Sequence, residues 1–110
     1  MIRVTIRSRK GGITGFDCQG HAGFSDYGKD IVCAAVSTLT INTINSVDQF
    51  TDDKVTVSQD EKQAVIEAAF TGKDGALSPE ATLLLQSYEM GVTELARQYD
   101  ELQVQIKERG

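Results

Sequence analysis

The most constraining feature of this sequence is a run of 17 residues, from Ile31 to Val47, without a charged side chain. An uncharged run of this length is typical of a segment buried inside a protein or in a membrane. Seven of its residues are Ser, Thr or Asn, which is too polar for a bilayer span. We therefore expect a helix over about residues 30–47 that is packed on several sides within a folded protein.

Two pairs of alternating segments flank this helix in the sequence. Apolar and polar residues alternate over 2–7 and 13–19, on either side of Gly11-Gly12, and again over 54–58 and 63–70. Period-two alternation indicates half-buried strands, and the short polar connections indicate hairpins.

The last part of the chain carries a strong helix start at Ser78-Pro79-Glu80, with a serine cap and proline in the first turn. Apolar residues then recur every three or four positions as far as Ile106, which predicts a long C-terminal helix of roughly 25 residues. The predicted class is α+β. Two ββα units form an antiparallel or mixed four-stranded sheet, packed with the buried helix and the long C-terminal helix.

Length and composition exclude several classes of protein. At 110 residues the chain fits one domain, 1–110, and its 40% hydrophobic residues suffice for a core. The net charge of −5 argues against direct nucleic-acid binding and against an anionic membrane, although it leaves a basic protein partner open. Residues 1–7 alternate and do not form the apolar core of a secretory signal, so we expect a cytoplasmic protein with reduced cysteines.

The segment 20–35 holds the residues with chemical potential. His21 is the single histidine of the chain and follows a predicted strand, and Cys33 falls in the predicted first turn of the uncharged helix. An imidazolium and a helix N-terminus both favour a thiolate, and free N–H groups there can stabilise an oxyanion. Asp26 and Asp30 are candidates to orient the imidazole. The spacing therefore favours a Cys/His nucleophilic pair.

Structural interpretations compete with this hypothesis. A cysteine in an apolar helix is commonly a small buried hydrophobe, and Cys18 fits that description on the inner face of its strand. Residues 23–29 match the G-x-x-x-x-G-K spacing of a phosphate-binding loop, but Asp30 follows where Ser or Thr would hold magnesium. The cysteines and single histidine lack the spacing of a metal site. We expect neither a metal nor a cofactor.

A basic set near the start of the chain consists of Arg3, Arg7, Arg9 and Lys10. We interpret it as a solvated strand face, with a contact for an acidic partner as the alternative.

The motif G-H-A at 20–22, followed by Y-G-x-D-I-V-C-A at 27–34, resembles the signature of the ribosomal-processing cysteine proteases known as Prp. The resemblance extends over essentially the whole chain. It implies a cytoplasmic endopeptidase of low-GC Gram-positive bacteria. Such an enzyme removes the N-terminal extension of a large-subunit ribosomal protein, number twenty-seven in the standard naming, after aromatic residues.

The resemblance also assigns roles to residues of this chain. It implies that Cys33 is the nucleophile, that His21 is the general base, and that Asp30 stands at the position of the motif's aspartate, either as a supporting acid or as a helix cap. The resemblance further implies a mobile active-site loop that bears Gly20, Gly23 and Gly28. The family is homodimeric. The alternative function is a non-catalytic assembly factor that binds the ribosomal protein without cutting it.

Overall fold

A computed structural model describes residues 1–10, 12–20, 27–60 and 62–109, the side chains of 27–30 excepted. Five strands and two helices follow one another along this part of the chain. They are β1 (Ile2–Arg9), β2 (Gly12–Gln19), α1 (Tyr27–Phe50), β3 (Lys54–Asp60), β4 (Val65–Thr71), α2 (Pro79–Gln98) and β5 (Leu102–Arg109).

The strands form one mixed sheet in the order β3-β4-β2-β1-β5. Three neighbouring pairs are antiparallel, whereas β5 lies parallel to β1 at the sheet edge. Alternate residues of the strands face the two helices and bury a common core, in which Val4, Ile6 and Phe16 are fully enclosed. The molecule therefore has two layers, with both helices on one face of the sheet, and the α+β class is confirmed.

The C-terminal helix is shorter than the sequence predicted, and the sheet has five strands rather than four. Helix α2 ends at Gln98, and Tyr99 adopts an extended conformation with φ −129° and ψ 118°. Leu102 and Ile106, which are four residues apart, fit a helix as well as a strand, but the segment between them also alternates apolar and polar residues. When this segment pairs with the open edge of β1, its backbone N–H and C=O groups are hydrogen-bonded, and this pairing favours the strand over the helix.

Helix α1 is packed on one side, not on several as the sequence predicted. Its buried residues form a single stripe, Val32, Val36, Thr40, Thr43 and Val47, because a two-layer fold gives a helix one covered face. By length and composition alone, Ile31–Phe50 is apolar enough to cross a membrane, and 28% of its apolar window is buried here. Core helices of soluble proteins have the same composition.

The predicted start of α2 is confirmed, and a residue just before β3 adds further hydrogen bonds to it. The Ser78 hydroxyl accepts a hydrogen bond from the Ala81 N–H at 3.1 Å, as a helix cap should. That hydroxyl also donates to the carboxylate of Asp53, which further accepts from the Ser78 N–H at 3.2 Å. The turn after α1 is therefore tied to the beginning of α2.

Candidate active site

Cys33 lies further inside its helix than the sequence predicted. Helix α1 begins at Tyr27, so Cys33 is its seventh residue and belongs to the second turn. The four N–H groups without intrahelical partners belong to the first turn, and the effect of the helix dipole fades within that turn. Cys33 therefore does not lie in the first turn, and the contribution that we expected from the helix N-terminus is wrong.

The thiol of Cys33 occupies the border between the core and the surface. Its side chain is half-buried and packs against the core cluster, between the fully buried Val32 and the exposed Ala34. Neither Cys33 nor Cys18 is in a disulfide. A half-buried position within a helix suits a nucleophile, because the residue must be held in place and still reach a substrate.

Three buried polar side chains hold α1 in place behind Cys33. The Thr40 hydroxyl lies 2.9 Å from the Tyr88 hydroxyl and 3.1 Å from the Cys18 sulfur, and the third side, from Cys18 to Tyr88, is 3.4 Å. Each group can donate one hydrogen bond and accept another, so the triangle satisfies all three in the interior. It joins β2, α1 and α2 at one point.

Burial has a clear effect on two members of this triangle. Desolvation raises the pKa of the Cys18 thiol above its ordinary value of 9.0, and it also raises the pKa of the Tyr88 hydroxyl. Cys18 is consequently an uncharged, enclosed thiol, which agrees with the structural role predicted for it. The sequence analysis did not identify Thr40 or Tyr88. The signal that could have identified them is a hydroxyl-bearing residue on each helix at a core position, where most residues are apolar.

The other predicted site residues divide into two groups. His21, Gly23 and Asp26 lie outside the described residues. Asp30 and Gly28 lie within α1, which contradicts the cap that was one of two roles open for Asp30 and the loop position predicted for Gly28. Helix α1 therefore starts about one turn earlier than its charge pattern indicated.

Gly20 forms the exit from β2 toward this segment. Its φ is +78°, a left-handed conformation that glycine adopts without steric cost. Its N–H donates to the carbonyl of Ala64 at 2.8 Å, which fixes the end of the strand. The chain thus leaves the sheet at a defined position, one residue before His21.

An apolar groove of about 720 Å³ runs along the outer side of the two helices. Its lining comes from Ala34, Ala35, Thr38, Leu39, Met90, Gly91, Glu94 and Leu95. Among the residues that the structure describes, no group of three His, Cys, Asp or Glu side chains could hold a metal ion.

Comparison with known proteins identifies the family signature over almost the whole chain. The family model for the cysteine protease Prp matches residues 1–105. The ribosomal processing cysteine protease Prp of Staphylococcus aureus is 29% identical over 104 residues, which cover 92% of this chain and 93% of that protein.

Solved structures show the same fold. A crystal structure of a Streptococcus mutans protein superposes with a TM-score of 0.88 at 33% identity and covers 99% of this chain and 96% of its own. The S. aureus protease Prp in complex with a substrate peptide gives a TM-score of 0.85 at 25% identity, covering 97% and 100%. A further S. aureus Prp structure, with a covalently linked product peptide, gives 0.83 at 26% identity, again covering 97% and 100%.

Proposed function

This chain belongs to the cysteine protease Prp family and is a cysteine protease, and from that premise we propose that it matures a ribosomal protein. The proposed substrate is the N-terminal extension of large-subunit ribosomal protein number twenty-seven, cut after aromatic residues. The observation that carries the proposal is a half-buried Cys33 on a fixed helix, within a motif that also contains the single histidine. The alternative of a non-catalytic assembly factor loses its basis, because the family is one of proteases.

We assign Cys33 as the nucleophile and His21 as the general base. Asp30 precedes Cys33 by three residues in α1, and positions three apart lie on the same face of a helix. That placement supports Asp30 as a residue that orients the imidazole. The position of Asp30 inside α1, three residues after its first residue, favours this assignment over an N-cap role.

The proposed reaction is acyl transfer to the Cys33 sulfur. His21 takes the proton from the thiol, and the thiolate attacks the substrate carbonyl carbon. The tetrahedral intermediate then expels the amine of the following residue, which receives the proton back from the imidazole. Water, deprotonated by the same imidazole, hydrolyses the thioester and frees the enzyme. The covalently linked product peptide of the S. aureus relative supports a covalent route.

We further propose that the chain between β2 and α1 acts as a lid over the substrate. The left-handed Gly20 supports a hinge at the end of β2, and Gly23 lies within the segment that would move. Substituting Gly23 with Ala or Pro should slow turnover if the lid must open, whereas unchanged kinetics would remove the lid from the mechanism.

The proposed enzyme is a cytoplasmic homodimer. The outer side of α1 supports a protein contact, because it is uncharged from Ile31 to Val47 and exposes Ile31 and Ile41. The apolar groove along the outer side of α1 and α2 adjoins this surface. Light scattering at micromolar concentration tests the dimer, and a monomer across the concentration range would contradict it.

The decisive experiment compares three proteins on the ribosomal protein with its extension, read by intact mass. The parent should release the extension, and Cys33→Ala should release none. Cys18→Ser is the matched control because it changes the other cysteine and keeps a hydrogen-bonding group, and it should still cut. Replacing the aromatic residues before the cut with Ala should slow cleavage. Cleavage by Cys33→Ala would overturn the assignment of the nucleophile.

A further inference from the structure

A row of basic side chains occupies the face of the sheet that the helices leave uncovered. Strands β1 and β5 run side by side, and their register places Arg7 beside Lys107 and Arg9 beside Arg109. The five residues that form this basic strip are Arg3, Arg7, Arg9, Lys107 and Arg109. They are five of the 11 Lys and Arg residues in a chain whose net charge is −5.

Among the residues that the structure describes, Arg7 is the one member of the basic strip with a partner of opposite charge. The Arg7 guanidinium forms an ion pair with Asp17 and donates to the carbonyl of Ala68 at 2.8 Å. Arg3 contacts the amide oxygen of Gln103 at 3.4 Å, which is a weak interaction. Within the part of the chain that the structure describes, no ion pair involves Arg3, Arg9, Lys107 or Arg109. These four charges contribute nothing evident to the fold.

The arrangement even opposes folding to a small degree. Like charges on neighbouring positions of adjacent strands repel each other and destabilise the pair. Here Arg9 stands beside Arg109 on the same face, whereas the charge of Arg7 beside Lys107 is offset by Asp17. A ligand that supplies negative charge would remove this repulsion.

We propose that the basic strip binds the phosphate backbone of a nucleic acid without reading its bases. Alternate residues of a strand stand about 6.6 Å apart, so the strip is a linear array of about 20 Å from Arg3 to Arg9. A nucleic-acid strand carries a phosphate about every 3.4 Å along a duplex axis, so Arg7 and Arg9 are spaced to meet every second phosphate, whereas Thr5 separates them from Arg3. Four of the five cations are arginines, whose planar guanidinium groups suit phosphate oxygens.

On the described strands this face carries no aromatic ring that could stack on a base, and this defines the kind of recognition. Proteins that read single-stranded bases use exposed aromatic rings. On the described strands both phenylalanines, Phe16 and Phe70, face the helices and are buried. The sequence-based expectation of no direct nucleic acid rested on net charge, which does not report how the folded chain separates its charges.

A hollow of about 450 Å³ on this face shows where the ligand would end. Its basic side is formed by β1 and β5, and its other side carries Asp17 and Glu67 from β2 and β4. The charge of Asp17 is neutralised by Arg7, whereas the negative charge of Glu67 would repel a phosphate on that side of the hollow. The phosphates are therefore confined to the β1–β5 edge.

The test measures fluorescence anisotropy of a labelled 20-nucleotide RNA, and of DNA with the same sequence, as KCl is raised from low concentration. We expect both to bind with dissociation constants on the order of 10⁻⁴ to 10⁻⁶ M. For about four phosphates neutralised, log K should fall with log[KCl] at a slope of roughly −3.

The triple variant Arg3→Gln, Arg9→Gln, Arg109→Gln should weaken binding at least about tenfold and reduce the slope by about 2. Arg7 stays unchanged because it holds Asp17. The matched control, Lys62→Gln, Lys73→Gln, Arg97→Gln, removes the same charge away from the basic strip and should bind as the parent does. Equal weakening by both variants, or no binding by the parent at low salt, would overturn the proposal. So would equally tight binding of a poly-glutamate peptide, which would identify an acidic protein as the partner.

Discussion

The hydroxyl oxygens of Thr40 and Tyr88 lie 2.9 Å apart in the interior, and they connect the two helices directly. Thr40 stands seven residues after Cys33 on α1, which is two helical turns on the same face. Tyr88 is fixed in turn by stacking on Phe16, with ring centroids 4.2 Å apart. The contact between Thr40 and Tyr88 in the core therefore fixes the rotation of α1 about its axis. This rotation also determines the direction of the Cys33 side chain.

Removing the Tyr88 hydroxyl should destabilise the protein. In Tyr88→Phe the ring still stacks on Phe16, but Thr40 and Cys18 lose one partner each in a closed triangle. We expect the free energy of unfolding to fall by about 1–3 kcal/mol, measured by urea denaturation. Tyr99→Phe, at a half-buried position, is the control and should change it by less than about 0.5 kcal/mol. Equal effects would show that the triangle is not important.

The two cysteines should differ sharply in reactivity. Cys18 is 1% exposed and its pKa is raised by burial, whereas Cys33 is half-buried. Because a thiolate at the surface is the reactive species, iodoacetamide at neutral pH should modify Cys33 long before Cys18. Peptide mapping by mass spectrometry after short exposures distinguishes the two. Similar rates in the folded protein would contradict the assignment of Cys18 to the core.

Stability should decrease above about pH 9. The pKa values of Cys18 and Tyr88 are raised in the folded state from ordinary values of 9.0 and 10.0. Below pH 9 both states hold these protons, so stability is unaffected. Above it the unfolded chain loses them first, and the free energy of unfolding falls by up to about 1.4 kcal/mol per pH unit for each group.

Urea titrations at pH 8, 9 and 10 measure this slope. Cys18→Ser removes the first of the two titrations and should flatten the decline between pH 9 and 10. An unchanged slope in that variant would assign the decline to other groups.

Two glycines should respond in opposite directions to substitution by alanine. At Gly91 an added Cβ lies 3.2 Å from a methyl carbon of Leu39, which borders the open groove and can move aside. Gly91→Ala should therefore stabilise α2 by about 0.5–1 kcal/mol through helix propensity. At Gly72 the added Cβ lies 1.6 Å from the carbonyl oxygen of Ala76, so Gly72→Ala should cost about 1–3 kcal/mol or more. Thermal denaturation of both variants checks the two signs.

The sequence by itself determined the elements whose signals are local. Alternation predicted the first four strands, the uncharged run predicted α1, and Ser78 with Pro79 predicted the beginning of α2. The motif from Gly20 to Ala34 identified the family, because the spacing of the histidine and the cysteine is a property of the chain alone.

Only the tertiary structure decided the features that depend on partners distant in sequence. Residues 102–106 fit a helix and a strand equally well until β1 offered an open edge. Thr40 and Tyr88, 48 residues apart, form a site only after α1 and α2 pack together. The basic strip likewise exists because β5 pairs with β1 across 100 residues of sequence. A local sequence pattern cannot predict contacts between segments that only folding brings together.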